Sequence, residues 1–304
     1  MNRKNESFTA DREIITRRVL NAPRELVYRI WTDPQHVAQW WGPAGFRNTF
    51  SEFSMKPGGG WRFVMHGPDG TDYLNQITFI EVVPSERLVY THGTGESNDP
   101  RQFHVEISFT ALGDKTEVTL RSIFQSKEAR DFVVREHGAI EGARQTLARL
   151  AGHLHAVGLE NSGAPIKLSV TRRFKASAER VFDAWTNAEH VRKWLFATPG
   201  GEMLRVEVDA RAGGRFVVVE KRGDMEAYHA GEYFEIDRPR RLVFSFGIDE
   251  ALTDAGLVQV EIKALDNGCE LTLTQTMHPK FAEYAERTQQ GWTTLLRKLD
   301  QLLS

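Results

Sequence analysis

The chain says one long thing twice. Near its start it reads Thr16-Arg17-Arg18-Val19, Ala22-Pro23-Arg24-Glu25-Leu26-Val27-Tyr28, Trp31-Thr32, His36-Val37 and Trp40-Trp41. Farther on it reads Thr171-Arg172-Arg173-Phe174, Ala176-Ser177-Ala178-Glu179-Arg180-Val181-Phe182, Trp185-Thr186, His190-Val191 and Trp194-Leu195. The separation is 155 residues at the arginines (172 − 17) and 154 at the tryptophans (185 − 31), which implies one residue gained or lost between them. A period of that length is a whole domain, not a solenoid or propeller unit. Two domains of about 150 residues each are an ordinary size, and each is long enough to bury a core. The expected division is a first domain at 14–158, a linker at 159–165 (Leu159 to Pro165, polar and broken by Gly and Pro), and a second domain at 166–304.

Composition removes several function classes. The chain is 40% hydrophobic and 26% charged, with a net charge of −2, so it reads as globular, with no basic block to bind nucleic acid. Cys269 is the single cysteine, which excludes an intramolecular disulfide and a cysteine zinc site. It falls in an alternating strand pattern, where a buried, inert thiol is expected. Met1 to Glu13 is polar and lacks the apolar core of a signal peptide. No run reaches the length of a membrane span, so a cytoplasmic protein is expected.

Both copies set out the same elements. A strand comes first, with Ile15, Arg17 and Val19 on one face in copy one. A helix follows, starting at Pro23 in copy one and carrying Trp31 or Trp185. A short second helix has Asp33 or Asn187 as N-cap and ends in the tryptophans. Six strands are then expected at 48–56, 60–66, 74–82, 87–92, 103–111 and 116–124, and again at 203–210, 214–220, 229–237, 241–247, 257–265 and 269–277. Glycines 58–60 and 213–214 mark the first hairpin of each set. Each copy closes with an amphipathic helix: Ile140, Ala143, Leu147, Leu150 and Leu154, then Trp292, Leu295, Leu296, Leu299 and Leu303. The expected fold class is α+β, with two tandem domains, each a curved antiparallel sheet wrapped around a long C-terminal helix.

Ala22 to Pro43, Gly59-Gly60 and Glu86-Arg87-Leu88-Val89 resemble the Hsp90-ATPase-activator-homologue domain of the START-like helix-grip superfamily. Copy two repeats the pattern with Arg241-Leu242-Val243, and Trp194-Leu195 stands in place of Trp40-Trp41. The resemblance spans nearly the whole chain. It implies a hydrophobic cavity of the kind that the superfamily uses for lipids, polyketides, hormones or aromatic compounds.

The candidate ligand-binding residues are Trp40, Trp41, Phe46, Trp61, Phe63 and Met65 in copy one, and Trp194, Phe196, Phe216 and Trp292 in copy two. Periodicity does not separate a pocket wall from plain core for them. Gly142 and Gly291, each inside a terminal helix, point to a close helix–sheet approach, a widened cavity, or a tolerated loss. His66, His92 and His104 in copy one are read as solvent-exposed, copy two (His190, His229, His278) offers no match at these positions, and His36 and His190 are read as structural. No nucleophile, zinc or phosphate-loop motif occurs, so no catalytic residue, metal or cofactor is expected. Three functions remain open. The first is non-catalytic binding of a hydrophobic or aromatic small molecule. The second is a chaperone-type or other protein-interaction module with filled cavities. The third is a cavity enzyme drawing on Glu220, Glu232, Tyr228, Tyr73 or His66.

Overall fold

The computed structural model describes residues 9–96, 99 and 101–304. The chain divides into two compact units after Leu154. The first contains β1 (Glu13–Leu20), α1 (Arg24–Thr32), α2 (Pro34–Trp40), β2 (Arg47–Phe53), β3 (Gly60–His66), β4 (Asp72–Val83), β5 (Arg87–Gly93), β6 (Phe103–Leu112), β7 (Lys115–Ile123), α3 (Lys127–His137) and most of α4 (Ala139–Asn161). The second contains β8 (Ile166–Phe174), α5 (Ala178–Thr186), α6 (Ala188–Trp194), β9 (Glu202–Val208), β10 (Arg215–Arg222), β11 (Met225–Asp237), β12 (Arg241–Phe246), β13 (Gly256–Leu265), β14 (Gly268–Met277), a 3-10 turn at Pro279–Tyr284 and α7 (Ala285–Leu303). Each unit has a seven-stranded antiparallel sheet, ordered β1-β7-β6-β5-β4-β3-β2 and β8-β14-β13-β12-β11-β10-β9. This is the expected α+β arrangement. Residues 159–161 of the anticipated linker are helical, as the last residues of α4.

Local chemistry starts and stops the elements as the residue types require. Asp33 accepts a hydrogen bond from Gln35 N, and Asn187 accepts from Glu189 N and His190 N, so α2 and α6 are capped in the same way. At the first hairpin a Cβ on Gly60 would lie 2.1 Å from Ile77 O, and one on Gly214 would lie 2.1 Å from Asp209 O. Only glycine lets the backbones approach that closely.

The structure sets the phase of β1 and changes three expectations. The inward residues of β1 are Ile14 and Leu20, while Ile15 and Val19 are exposed. Successive strand residues point to opposite faces, so a shift of one residue inverts the strand. The pairing settles the phase: Leu20 lies opposite Thr116, and Phe174 lies opposite Cys269. Leu20 and Phe174 are therefore equivalent, and the offset is already 154 at the first strand (174 − 20), with no gain or loss before the tryptophans. The matching Thr-Arg-Arg strings are out of register by one residue.

The closing segment of the first unit is not one helix. Ser126 caps α3 by accepting from Ala129 N, and Gly138, at φ +57°, ends it before α4 begins. Ile140 is the second residue of α4 and is exposed. A Cβ on Gly291 would meet nothing within 4 Å, and one on Gly142 would meet only Pro43, at 3.5 Å. Neither glycine marks a close approach of helix to sheet.

Candidate functional site

In the first unit a cavity of about 370 Å³ lies between the sheet and α3–α4. Its floor is the concave face of the sheet, where Tyr90, Val105, Ser122 and Ile14 stand opposite one another across β5, β6, β7 and β1. His92 and Phe103 form the next row of the floor. Phe132, Val133 and His137 of α3 and Ala143 and Thr146 of α4 close the other side. Trp41, Gly42, Pro43 and Met65 form one end.

The loop at that end is held by α4. Arg149 donates to Gly42 O (2.9 Å) and Pro43 O (2.8 Å), and Ala44 N donates to Gln145 Oε1 (3.0 Å). Asn48 donates to Trp41 O (2.6 Å). Ring nitrogens of His36 on α2 and His153 on α4 lie 2.9 Å apart. Burial and the neighbouring His36 push His153 down to about 4.

Of the six candidates in the first unit, Trp41 and Met65 line the cavity. Trp40, Trp61 and Phe63 lie in an aromatic core beside it, with Trp31–Trp40 at 4.9 Å, Trp41–Trp61 at 5.3 Å and Trp41–Phe63 at 6.4 Å between ring centres. Phe46 packs on Tyr73, itself a lining residue, at 5.9 Å.

The second unit puts large side chains at the matching positions. Trp292 stands on α7 where Ala143 stands on α4, by the shared spacing to Leu296, Leu299 and Leu303 or Leu147, Leu150 and Leu154. Phe196 follows Trp194-Leu195 as Gly42 follows Trp40-Trp41, and Phe246 matches His92. Phe196 stacks on His229 at 4.0 Å and 6°, and lies 5.2 Å from Phe246 and 5.7 Å from Trp292. Trp292 Nε1 donates to the buried Gln275 Oε1 (2.6 Å). Trp194 donates to Ala184 O (2.9 Å), and Phe216 packs between Tyr233 and Phe244. These four candidates build a packed core.

At the cavity the Asp99 carboxylate is paired and the His92 ring is kept neutral. Burial pushes His92 down to about 4, opposed by the Asp99 carboxylate. Burial alone would raise Asp99, but hydrogen bonds from Thr94 N and Oγ1 (2.8 Å each) and from Arg101 N (2.9 Å) and Nε (3.3 Å) hold it at about 2. Burial raises the Tyr90 hydroxyl above its ordinary value.

The expectation that His92 is solvent-exposed is therefore corrected, because it shares the inward face of β5 with Leu88 and Tyr90. That alternation was the signal to follow. His229 of the second unit is stacked on Phe196. His66 and His104 sit near the surface beside Asp72 and Glu106. Glu220 is buried, accepting from Thr198 N, Thr198 Oγ1 and Arg222 Nε. Cys269 is buried, which raises its thiol. Among the described residues no three His, Cys, Asp or Glu side chains are grouped to hold a metal ion, and no helix is long and apolar enough to cross a membrane.

Solved structures similar to parts of the chain come from several bacteria. A protein from Arthrobacter aurescens is 25% identical, covers 49% of this chain and 89% of its own, and has a TM-score of 0.45. One from Chromobacterium violaceum is 27% identical over 47% of this chain and 96% of its own, with a TM-score of 0.41. One from Nitrosomonas europaea is 22% identical over 50% and 99%, with a TM-score of 0.45. A search of curated proteins finds no match. The family model described as Activator of Hsp90 ATPase homolog 1-like protein matches residues 21–155 and again 175–304. At the level of the family, this match supports a ligand-binding or protein-interaction module. The chain belongs to the Activator of Hsp90 ATPase homolog 1-like family and carries its domain twice.

Proposed function

We propose that the first unit binds a hydrophobic or aromatic small molecule, without catalysis, in the cavity between its sheet and α3–α4. The observation that carries this reading is the contrast between the copies. One backbone plan has Gly42 and Ala143 around a cavity of about 370 Å³, and has Phe196 and Trp292 in the other copy. A cavity of that size falls within the range of small-molecule sites, about 300–1,000 Å³. The second unit, filled at the same place, is read as a structural or protein-interaction module.

Native mass spectrometry of the purified full chain, compared with its denatured mass, tests the reading. The expected result is one apolar molecule per chain, recovered by extraction. If no adduct is seen, and a panel of apolar aromatic compounds added up to millimolar concentration leaves the native mass unchanged, the binding reading falls and the interaction reading takes its place.

A further inference from the structure

Among the polar side-chain atoms of the cavity lining with no hydrogen-bond partner in the described residues, three stand on the floor of the sheet: the Tyr90 hydroxyl, the Ser122 hydroxyl and one ring nitrogen of His92. Two of the three are indifferent to what they meet, since a hydroxyl donates or accepts. The histidine is not, and a chain of contacts fixes its state.

Asn75 Nδ2 donates to Tyr73 O at 2.9 Å, which sets the orientation of the Asn75 amide. Asn75 Oδ1 then faces His92 Nε2 at 2.9 Å. A carbonyl oxygen only accepts, so Nε2 carries the proton. Burial holds the ring neutral at ordinary pH. A neutral imidazole has one proton, so Nδ1 is a bare lone pair. Phe103, at 5.0 Å, and Phe63, at 6.2 Å, flank the ring and offer it no donor. Asp99 adds no unpaired charge, because Thr94 and Arg101 already hold both of its oxygens.

We infer that the ligand of this cavity is an uncharged, mainly apolar molecule carrying a hydroxyl or N–H group, which donates its hydrogen bond to His92 Nδ1. An apolar molecule with no donor leaves that acceptor buried and unpaired when it displaces water from the cavity, which is costly. A hydroxyl suits the lining best, because it donates to His92 and still accepts from Tyr90 or Ser122. A carboxylate has no proton to give to Nδ1.

This inference rests on the binding reading above, and its test separates the two. The probes are a naphthol, its methyl ether and the corresponding naphthoate, titrated into the full chain with intrinsic fluorescence and calorimetry as readouts. Naphthol is expected to bind about tenfold more tightly than the ether, the worth of one net hydrogen bond, and more tightly than naphthoate. In His92→Phe, which copies Phe246 of the second unit, naphthol is expected to fall to the affinity of the ether. Retained ether binding in that variant shows that it is folded. Nitrogen-15 NMR of the unliganded protein at neutral pH is expected to show His92 as the Nε2–H tautomer. Equal affinity for naphthol and ether, naphthoate binding as tightly as naphthol, or an Nδ1–H tautomer overturns the inference and leaves the cavity reading standing. Failure of all three probes to bind overturns both.

Discussion

Gly42 and Phe196 hold the same place in the two copies, each two residues after the tryptophan that ends the second helix, and both have positive φ, +94° and +59°. The turn is the same, but only the second copy puts a ring there. Phenylalanine rarely adopts that backbone. What Phe196 gains is a stack on His229 and packing against Phe246 and Trp292. In the first copy Gly42 and Met65 both line the cavity, and a Cβ on Gly42 would lie 2.7 Å from Met65 Cε.

The facing position gives the cleaner test of the cavity. Ala143→Trp copies Trp292 and directs a large ring between α4 and the sheet. The expected outcome is loss of any bound molecule by native mass spectrometry, with a melting temperature no lower than that of the parent. A variant that folds and still carries its ligand contradicts the assignment.

The converse change opens the second unit. Trp292→Ala removes a buried ring and leaves Gln275 Oε1 without its donor. A loss of about 3–5 kcal/mol is expected for that unit in urea denaturation, from the lost burial of the ring and the cavity it leaves. An effect below about 1 kcal/mol means that the ring is not packed as described.

Gly291→Ala is expected to stabilise. The residue lies inside α7, is exposed, and a Cβ there meets nothing within 4 Å. Alanine in a helix interior is better than glycine by about 1 kcal/mol. Thermal unfolding reads the gain, and a lower melting temperature refutes it.

Stability is expected to fall in mild acid. His92, His153 and His229 are each pushed down to about 4 in the folded protein, chiefly by burial. An unfolded histidine titrates near 6.5. The unfolded chain therefore binds more protons between those values, and stability is fully present above about pH 6.5 and lost as pH falls towards 4. A tenfold difference in proton affinity between the folded and unfolded chain is worth about 1.4 kcal/mol. Asp99, held at about 2, adds a further loss below about pH 4. Urea midpoints at pH 7 and 4.5 check this, and equal midpoints rule it out. His229→Phe is expected to flatten the dependence.

Much of the architecture was legible because it is written in short-range chemistry and repeated. Caps at Asp33 and Asn187, glycine hairpins at 58–60 and 213–214, and alternation along the strands each fix an element from its own neighbours. Order and length then leave little choice of fold class. The phase of β1 was not legible, because Ile14-Ile15 offers an apolar residue to either face and only the pairing of Leu20 with Thr116 decides. α3 was missed because its helix carries no fully buried residue to set a stripe.

The sequence by itself determined that there are two copies of one α+β domain and which residues are apolar. Only the tertiary structure decided which copy is open. Whether a space is filled depends on the summed volume of side chains far apart in the chain, such as Phe196 and Trp292, which meet in the second copy where the first has Gly42 and Ala143. Periodicity reports which way a side chain points and not what it finds there. The same holds for His92, whose neutral state and bare nitrogen follow from Asn75 and Tyr73, residues brought beside it by the pairing of β4 with β5.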